Sequence, residues 1–334
     1  MAAGCSSRPP SPRPYPLLMY CHGKSSTIQT FYSVKEDSYY MRKLPDLNDK
    51  VICGGCEGWL VVLNTDAESD ECFLINLAST EKIKLPPFKD FDIKKCVITA
   101  PPTDPTNCIL VFFDSEKPDA MFWRPGQKNW IKQDNIDDGS QKEEDELWRL
   151  NHLTGCGSKI YGFTNYSKLV VAEVVNHRLR LRPLGPYRPE MPIVAIRFYL
   201  NMVESRGEIF LVYRSMLGES DTRIEMIQVY KLNNNSNTIN QNENQQQPEW
   251  IQVKDIGDRV FFFNTHTYKS FACSASETGL KRNSIYFTCC HDYNKNLYLF
   301  DLEENSIQVS LPCPNVVHNM THTLWVMLKL PPPS

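Results

Sequence analysis

Five times along this chain the same order of segments recurs at a period of about 50 residues: a short apolar strand, a polar turn, a second apolar strand, and a third ending in or near Leu-Pro. The clear copies open at Gly58 (GWLVVLN, CFLINL, EKIKLPP), Asn107 (NCILVFF, AMFWRP, KNWIKQD), Ser158 (SKIYGFT, KLVVAEV, LRLRPLG), Gly207 (GEIFLVYR, RIEMIQVYKL, EWIQVKDI) and Asn283 (NSIYFTCC, NLYLFDL, SIQVSLP), and a fainter sixth opens at Leu17. Short strands repeated at this period are the mark of blades arranged radially. One blade alone leaves a sheet face wet, so its neighbours must cover it.

The position of the missing strand predicts how the array closes. One more apolar stretch precedes each later copy, at Val51 to Cys53, Lys95 to Thr99, His152 to Gly155, Val194 to Val203 and Arg259 to Asn264, and these read as the innermost strands. The first copy (PLLMY, IQTFYSV, YYMRKLP) has no such stretch before it, whereas Thr323 to Leu330 (TLWVMLKL) is left over at the end. The expected fold is therefore all-β: a six-bladed β-propeller, its ring closed by the C-terminal strand completing the first blade.

Domain boundaries follow from composition. Residues 1–14 read as a disordered lead rich in Pro, Ser and Arg, residues 15–331 as the propeller, and the polar low-complexity run 233–247 as a disordered loop within it. The acidic run DNIDDGSQKEEDE at 134–146 reads as a solvated connection between blades. No apolar run approaches the roughly 18 residues that cross a bilayer. The net charge of −3 gives no general attraction to nucleic acid, and Arg178, Arg180 and Arg182 are read as alternating along a strand rather than as a basic stripe. Neither a membrane nor a nucleic acid is an expected partner.

The chain has twelve cysteines, and most lie inside apolar strands (Cys72, Cys96, Cys108, Cys273, Cys289), where a reduced thiol packs as a small hydrophobe. The sequence has no recognisable signal peptide, so a reducing compartment, cytoplasmic or nuclear, is expected, with organellar import as the lesser alternative. Cys53-Gly-Gly-Cys56 has the spacing of half a zinc site, yet no second CxxC or HxxxH accompanies it; the plainer reading is an inner strand entering a Gly-rich turn. In Cys289-Cys290-His291-Asp292 the adjacent cysteines of a strand point to opposite faces, which disfavours a shared ion. No metal and no cofactor are expected.

No GxSxG, HExxH or GxGxxG occurs, and the inner strands offer few carboxylates or histidines, so catalysis is not expected. A propeller hydrolase and a small-ligand binder are the alternatives. Trp130 and Trp250 hold equivalent third-strand positions, where an aromatic can pack between adjacent blades.

The Gly-His to Trp-Asp signature of WD40 repeats and the double glycine of kelch blades are both missing. Instead, CGGCEGWLVVL with FLINLASTEKIKLPP, KCVITAPP with FWRPGQKNW, GSKIYGFT, and IGDRVFFFN, RNSIYFT and LYLFDLEENSI near the end resemble the plant family of F-box-associated β-propellers, domain of unknown function 295 or the KIB-type propeller. The resemblance implies a protein-interaction module, related to the substrate-recognition part of ubiquitin-ligase adaptors, whose partner is an unidentified protein. Many members carry an N-terminal F-box that docks the Skp1 adaptor; none is recognisable here, which puts Skp1 docking in doubt. A monomer is expected.

In propellers, the loops between blades and those between second and third strands share one rim. Loops hold variable side chains on a rigid scaffold, and aromatics and arginine are the usual interface anchors. The candidate protein contacts on that rim are Phe88, Phe91, Tyr187, Arg188, His291 and Tyr293.

Overall fold

The computed structural model describes residues 4–5, 15–22, 27–64, 71–87, 93–114, 117, 119–134, 136, 150–190, 197–216, 224–233, 248–264, 269–288, 296–312 and 320–328. These residues are almost all strand and form six sheets, the blades of a six-bladed β-propeller. Blade 1 holds β1 (Gly4–Cys5), β2 (Tyr15–His22), β3 (Ile28–Ser33) and β4 (Ser38–Arg42). Blade 2 holds β5 (Lys50–Cys56), β6 (Trp59–Asn64), β7 (Cys72–Asn76) and β8 (Lys82–Lys84). Blade 3 holds β9 (Ile93–Ile98), β10 (Leu110–Asp114), β11 (Ala120–Trp123) and β12 (Ile131–Gln133). Blade 4 holds β13 (Asn151–Cys156), β14 (Lys159–Phe163), β15 (Lys168–Val175) and β16 (Arg178–Tyr187). Blade 5 holds β17 (Arg197–Ser205), β18 (Glu208–Met216), β19 (Ile224–Asn233) and β20 (Glu249–Val253). Blade 6 holds β21 (Arg259–Phe263), β22 (Ser270–Ser274), the short helix α1 (Ala275–Thr278), β23 (Ser284–Thr288), β24 (Leu297–Asp301) and β25 (Ser306–Ser310). The last strand, β26 (Met320–Leu328), returns to blade 1. The chain divides into two compact units, one with blades 1, 2 and 6, the other (Asp92–Lys254) with blades 3, 4 and 5.

Tight turns fix the hairpin registers. Glu57 and Gly58 between β5 and β6 (φ 48° and 85°), Asn176 and His177 between β15 and β16 (49° and 61°), and Arg206 and Gly207 between β17 and β18 (55° and 78°) all have positive φ. Two consecutive positive-φ residues make a type I′ turn, whose twist matches that of the flanking strands. Cys53 is skipped in the β5–β6 register, a bulge, and its thiol donates to the Val61 carbonyl at 3.5 Å. The Cys53-Gly-Gly-Cys56 segment is thus an inner strand running into a Gly-rich turn.

In the first unit, β26 pairs antiparallel with β2 from Tyr15↔Leu328 to His22↔Met320, so the C-terminal strand completes blade 1 as expected. The run PLLMYC then makes physical sense: a sheet covered on both faces needs apolar residues at every position. Leu17, Met19 and Cys21 join Leu60, Val62 and Ile75 of blade 2 in one cluster, while Leu18 and Tyr20 join Val260, Phe262 and Tyr286 of blade 6 in another. Trp325 of β26 lies in the second, its ring 4.8 Å from that of Phe262 in an edge-on contact. The carboxamide of Asn264, just beyond β21, accepts from the Trp325 N–H and donates to the Trp325 carbonyl, mimicking one rung of a β-ladder between blades 6 and 1.

Blade 6 departs from the expected pattern. Its order is β22-β21-β23-β24-β25, and β21 runs parallel to β23. The segment Arg259 to Asn264 is therefore not innermost, because β22, formed by SFACS, holds the sheet edge inward of it. The physical reason is the capped helix α1. Asp258 accepts from the Ser274 and Ser276 hydroxyls (2.7 and 3.0 Å) and the Ser276 N–H (2.8 Å), turning the chain after β22 so that β23 can pair on the far side of β21. In blade 1, β1 adds a fifth strand by pairing parallel with β4. The rest of the 1–14 lead, the 137–146 part of the acidic run, most of the 233–247 loop, and Cys289-Cys290-His291-Asp292 lie outside the described residues.

In the second unit one cluster joins Val97, Val111 and Phe122 of blade 3 to Ile160, Val170, Leu179 and Leu181 of blade 4, and another joins Phe163 and Leu169 of blade 4 to Leu200, Leu211 and Leu232 of blade 5. Trp250 packs between blades, 6.0 Å from Phe163, whereas Trp130 contacts Phe112 of its own blade at 5.2 Å. A Cβ on Gly155 of β13 would lie 2.7 Å from the Thr99 Cα, so glycine is what lets blades 3 and 4 approach there. Burial pushes the Cys108 and Cys273 thiols up to about 12, which keeps them protonated and apolar.

Trp325→Ala is expected to cost about 3 kcal/mol, because it empties a buried junction and the neighbouring blades relax only partly. Urea unfolding of the intact chain measures it, with the exposed Val309→Ala as a near-neutral reference. Gly155→Ala is expected to lower the thermal midpoint by several degrees, since Thr99 backbone must move to admit the methyl group; an unchanged midpoint would show that the approach has slack.

Candidate protein-contact surface

The rim of blades 4 and 5 gathers residues from the turn between β14 and β15 and from the two sides of the connection from β16 to β17. The turn from β14 to β15 is closed by Ser167 N–H to Thr164 carbonyl (2.9 Å) and by Lys168 N–H to the Thr164 hydroxyl (3.2 Å), with Ser167 at φ 66°. Tyr166 lies at its tip. Tyr187 ends β16 opposite Lys168, and the Arg188 N–H then donates to the Ser167 carbonyl at 2.8 Å, tying the exit of blade 4 to that turn. Beyond Arg188, the Pro189 carbonyl accepts from the Tyr213 hydroxyl at 2.8 Å, anchoring the connection to blade 5. Burial holds the Tyr213 hydroxyl above its ordinary range, so it remains a donor.

Three aromatic residues are exposed on this rim, and one of them meets a cation. Tyr187 is 62 % exposed, Tyr166 54 % and Phe198, near the start of β17, 39 %. The Arg188 guanidinium lies 5.5 Å from the centre of the Phe198 ring, within cation–π range. Aromatic side chains present large areas at small entropic cost, and exposing them is costly unless something covers them.

Beneath this surface lies a supporting polar layer. Lys95 of β9 donates to the Asn151 side chain at 2.6 Å and to the Leu150 carbonyl, joining blades 3 and 4. Asn151 in turn donates to Asn165 at 3.0 Å, beside Tyr166. Buried Arg214 donates to Asn201 at 2.7 Å, its guanidinium 5.4 Å from the Tyr199 ring. His152, at φ 54° in a bulge of β13, donates to the Leu200 backbone; burial foremost, with Lys95 and Arg188 nearby, pushes it down to about 4.

Of the sequence-based candidates, Tyr187 and Arg188 come together here, and Phe88, Phe91, His291 and Tyr293 lie outside the described residues. Sequence reasoning missed Tyr166 and Phe198. Tyr166 carried a signal, being an aromatic in a polar Asn-Tyr-Ser turn. Phe198 sits in the continuous run RFYL, where nothing separates an outward ring from a core one. Among the described residues, no three His, Cys, Asp or Glu side chains are grouped to hold a metal ion, and no helix is long and apolar enough to cross a membrane.

This is a β-propeller with an exposed aromatic and arginine surface on one rim. The KIB1-4 β-propeller family model matches residues 31–309, and the chain belongs to that family. No curated protein matches it. Among solved structures, the chain is similar to apo AztD from Citrobacter koseri (9% identity, 95% of this chain and 99% of that one, TM-score 0.46). It is also similar to the Cps50 (Swd1) β-propeller domain of Myceliophteria thermophila (10% identity, 87% and 86%, TM-score 0.42).

His152 makes stability pH-dependent. Its folded value lies below the ordinary 6.5, so the unfolded chain takes up a proton that the folded ring refuses until about pH 4. This contribution is complete above pH 6.5 and is lost as the pH falls towards 4, by about 3 kcal/mol in all. His152→Asn, which tolerates the positive φ, should flatten the urea midpoint between pH 7 and 4 relative to the native chain.

Proposed function

We propose that this chain is a protein-interaction propeller that holds a partner polypeptide on the rim of blades 4 and 5. In this reading it is a substrate-recognition module of the kind that F-box-associated propellers supply to ubiquitin-ligase adaptors, and it works by binding rather than by catalysis. The observation that carries the reading is the exposure of Tyr166, Tyr187 and Phe198 on one rim, with Arg188 tied to the Tyr166 turn through the Ser167 carbonyl and stacked on Phe198. Tyrosine and arginine are the residues on which interface energy concentrates, and here both are fixed by backbone hydrogen bonds before any partner arrives.

The test is affinity purification of the intact chain from its native cells beside a Tyr187→Ala/Arg188→Ala variant, with bound proteins identified and quantified. Each anchor is worth about 2 kcal/mol, so recovery of the true partner should fall at least roughly tenfold while the thermal midpoint stays put. A partner set that is the same for both proteins would sink the proposal. Skp1 and cullin among the proteins lost would tie the surface to a ligase; their retention would place ligase contact elsewhere on the chain.

A further inference from the structure

Arg178, Arg180 and Arg182 do form a stripe. A strand sends alternate side chains to the same face, so period two is how a strand builds one. On β16 the three arginines are exposed while Leu179 and Leu181 between them are buried against blade 3. Lys159 of β14 adds a fourth cation, reaching the Glu173 carboxylate at 3.2 Å. Glu173 also meets Arg182 at 3.6 Å. Arg178 and Arg180 have no ion pair among the described residues. Among the described residues four cations face one carboxylate here, on a chain whose net charge is −3.

The edge of this strand is occupied where the stripe begins. The Gln133 carboxamide of blade 3 donates to the Leu179 carbonyl and accepts from the Leu179 N–H, both at 2.8 Å. An incoming chain therefore cannot extend the sheet at Leu179 and must lie across the arginine face. The type I′ turn at Asn176 and His177 fixes where Arg178 emerges, so the cations stand at a set spacing of about 6.6 Å.

We propose that the outer face of blade 4 is a second docking surface, for an extended acidic segment of a partner protein. An extended peptide with carboxylates at alternate positions repeats at the same spacing of about 6.6 Å, so each carboxylate meets one guanidinium fork. Exposed Val175, opposite Arg178, supplies an apolar contact at the turn end. Charge complementarity selects the occupant. Arginine is suited to it because its planar fork pairs a carboxylate through two hydrogen bonds. This surface is separate from the aromatic rim and stands or falls independently of it.

The probe is a fluorescein-labelled twelve-residue peptide of alternating Glu and Thr, titrated against the intact chain by fluorescence anisotropy at low salt. Saturable binding is expected, weakened at least tenfold by Arg178→Glu/Arg180→Glu, relieved by high salt, and unchanged by Tyr187→Ala. Glu173→Gln, which releases Arg182 and Lys159, should tighten binding, a gain that partial unfolding cannot imitate. No binding, or binding indifferent to the arginine variants, overturns the proposal. So does equal binding of a twelve-residue thymidine oligonucleotide, which would reduce the stripe to a general polyanion contact, and so does an equal response to Tyr187→Ala, which would place the peptide on the rim.

Discussion

The pairing of β26 with β2 is the contact on which the first blade depends. Leu17 and Val326, at opposite ends of the sequence, sit side by side on adjacent strands, and without that ladder β2 would present an open edge. The requirement arises from burial. Blade 1 packs against blade 2 through Leu17, Met19 and Cys21 and against blade 6 through Leu18 and Tyr20, so both faces of β2 must be dry and its free edge must be satisfied. Trp325 and the Asn264 carboxamide seal that junction, one by filling it and the other by supplying backbone partners that no neighbouring strand provides.

The same device recurs in the other unit. Between blades 3 and 4, Gln133 gives the Leu179 backbone the two hydrogen bonds that a further strand would have given, as Asn264 does for Trp325. Adjacent blades splay, so their backbones rarely reach one another. A carboxamide carries one donor and one acceptor at the end of a side chain and can bridge that gap. Where backbones do come close, as at Gly155 and Thr99, the absence of a side chain permits it. Because these junctions are fixed, the rim can show aromatic rings without collapsing them into the core.

Most of the blade pattern was legible in the sequence because local rules generate it. Strand, turn, strand repeats such as WLVVLN, CFLINL and KIK map onto β6, β7 and β8, since hydrophobic period and positive-φ turns act within a few residues. The exception is blade 6, where RVFFFN looks innermost by apolar content. The less apolar SFACS takes that place because Asp258 and α1 redirect the chain, an interaction invisible to a hydrophobicity pattern. In the rim, Tyr187 and Arg188 were legible as residues between strands. Phe198 was not, because a strand that is apolar on both faces gives no phase from which to tell which ring escapes burial.

By itself the sequence determined the number of blades, the order of their strands outside blade 6 and the need for a strand from the far end, because each follows from counting apolar segments against turns. Only tertiary structure decided which outward residues become neighbours. Tyr166 comes from the turn between β14 and β15, whereas Tyr187 and Phe198 flank the connection from β16 to β17, and Arg188 ties these segments through a backbone hydrogen bond to Ser167 and a ring contact with Phe198. The physical reason is that a local pattern sets the face on which each side chain stands, whereas the packing of one blade against the next sets what stands beside it.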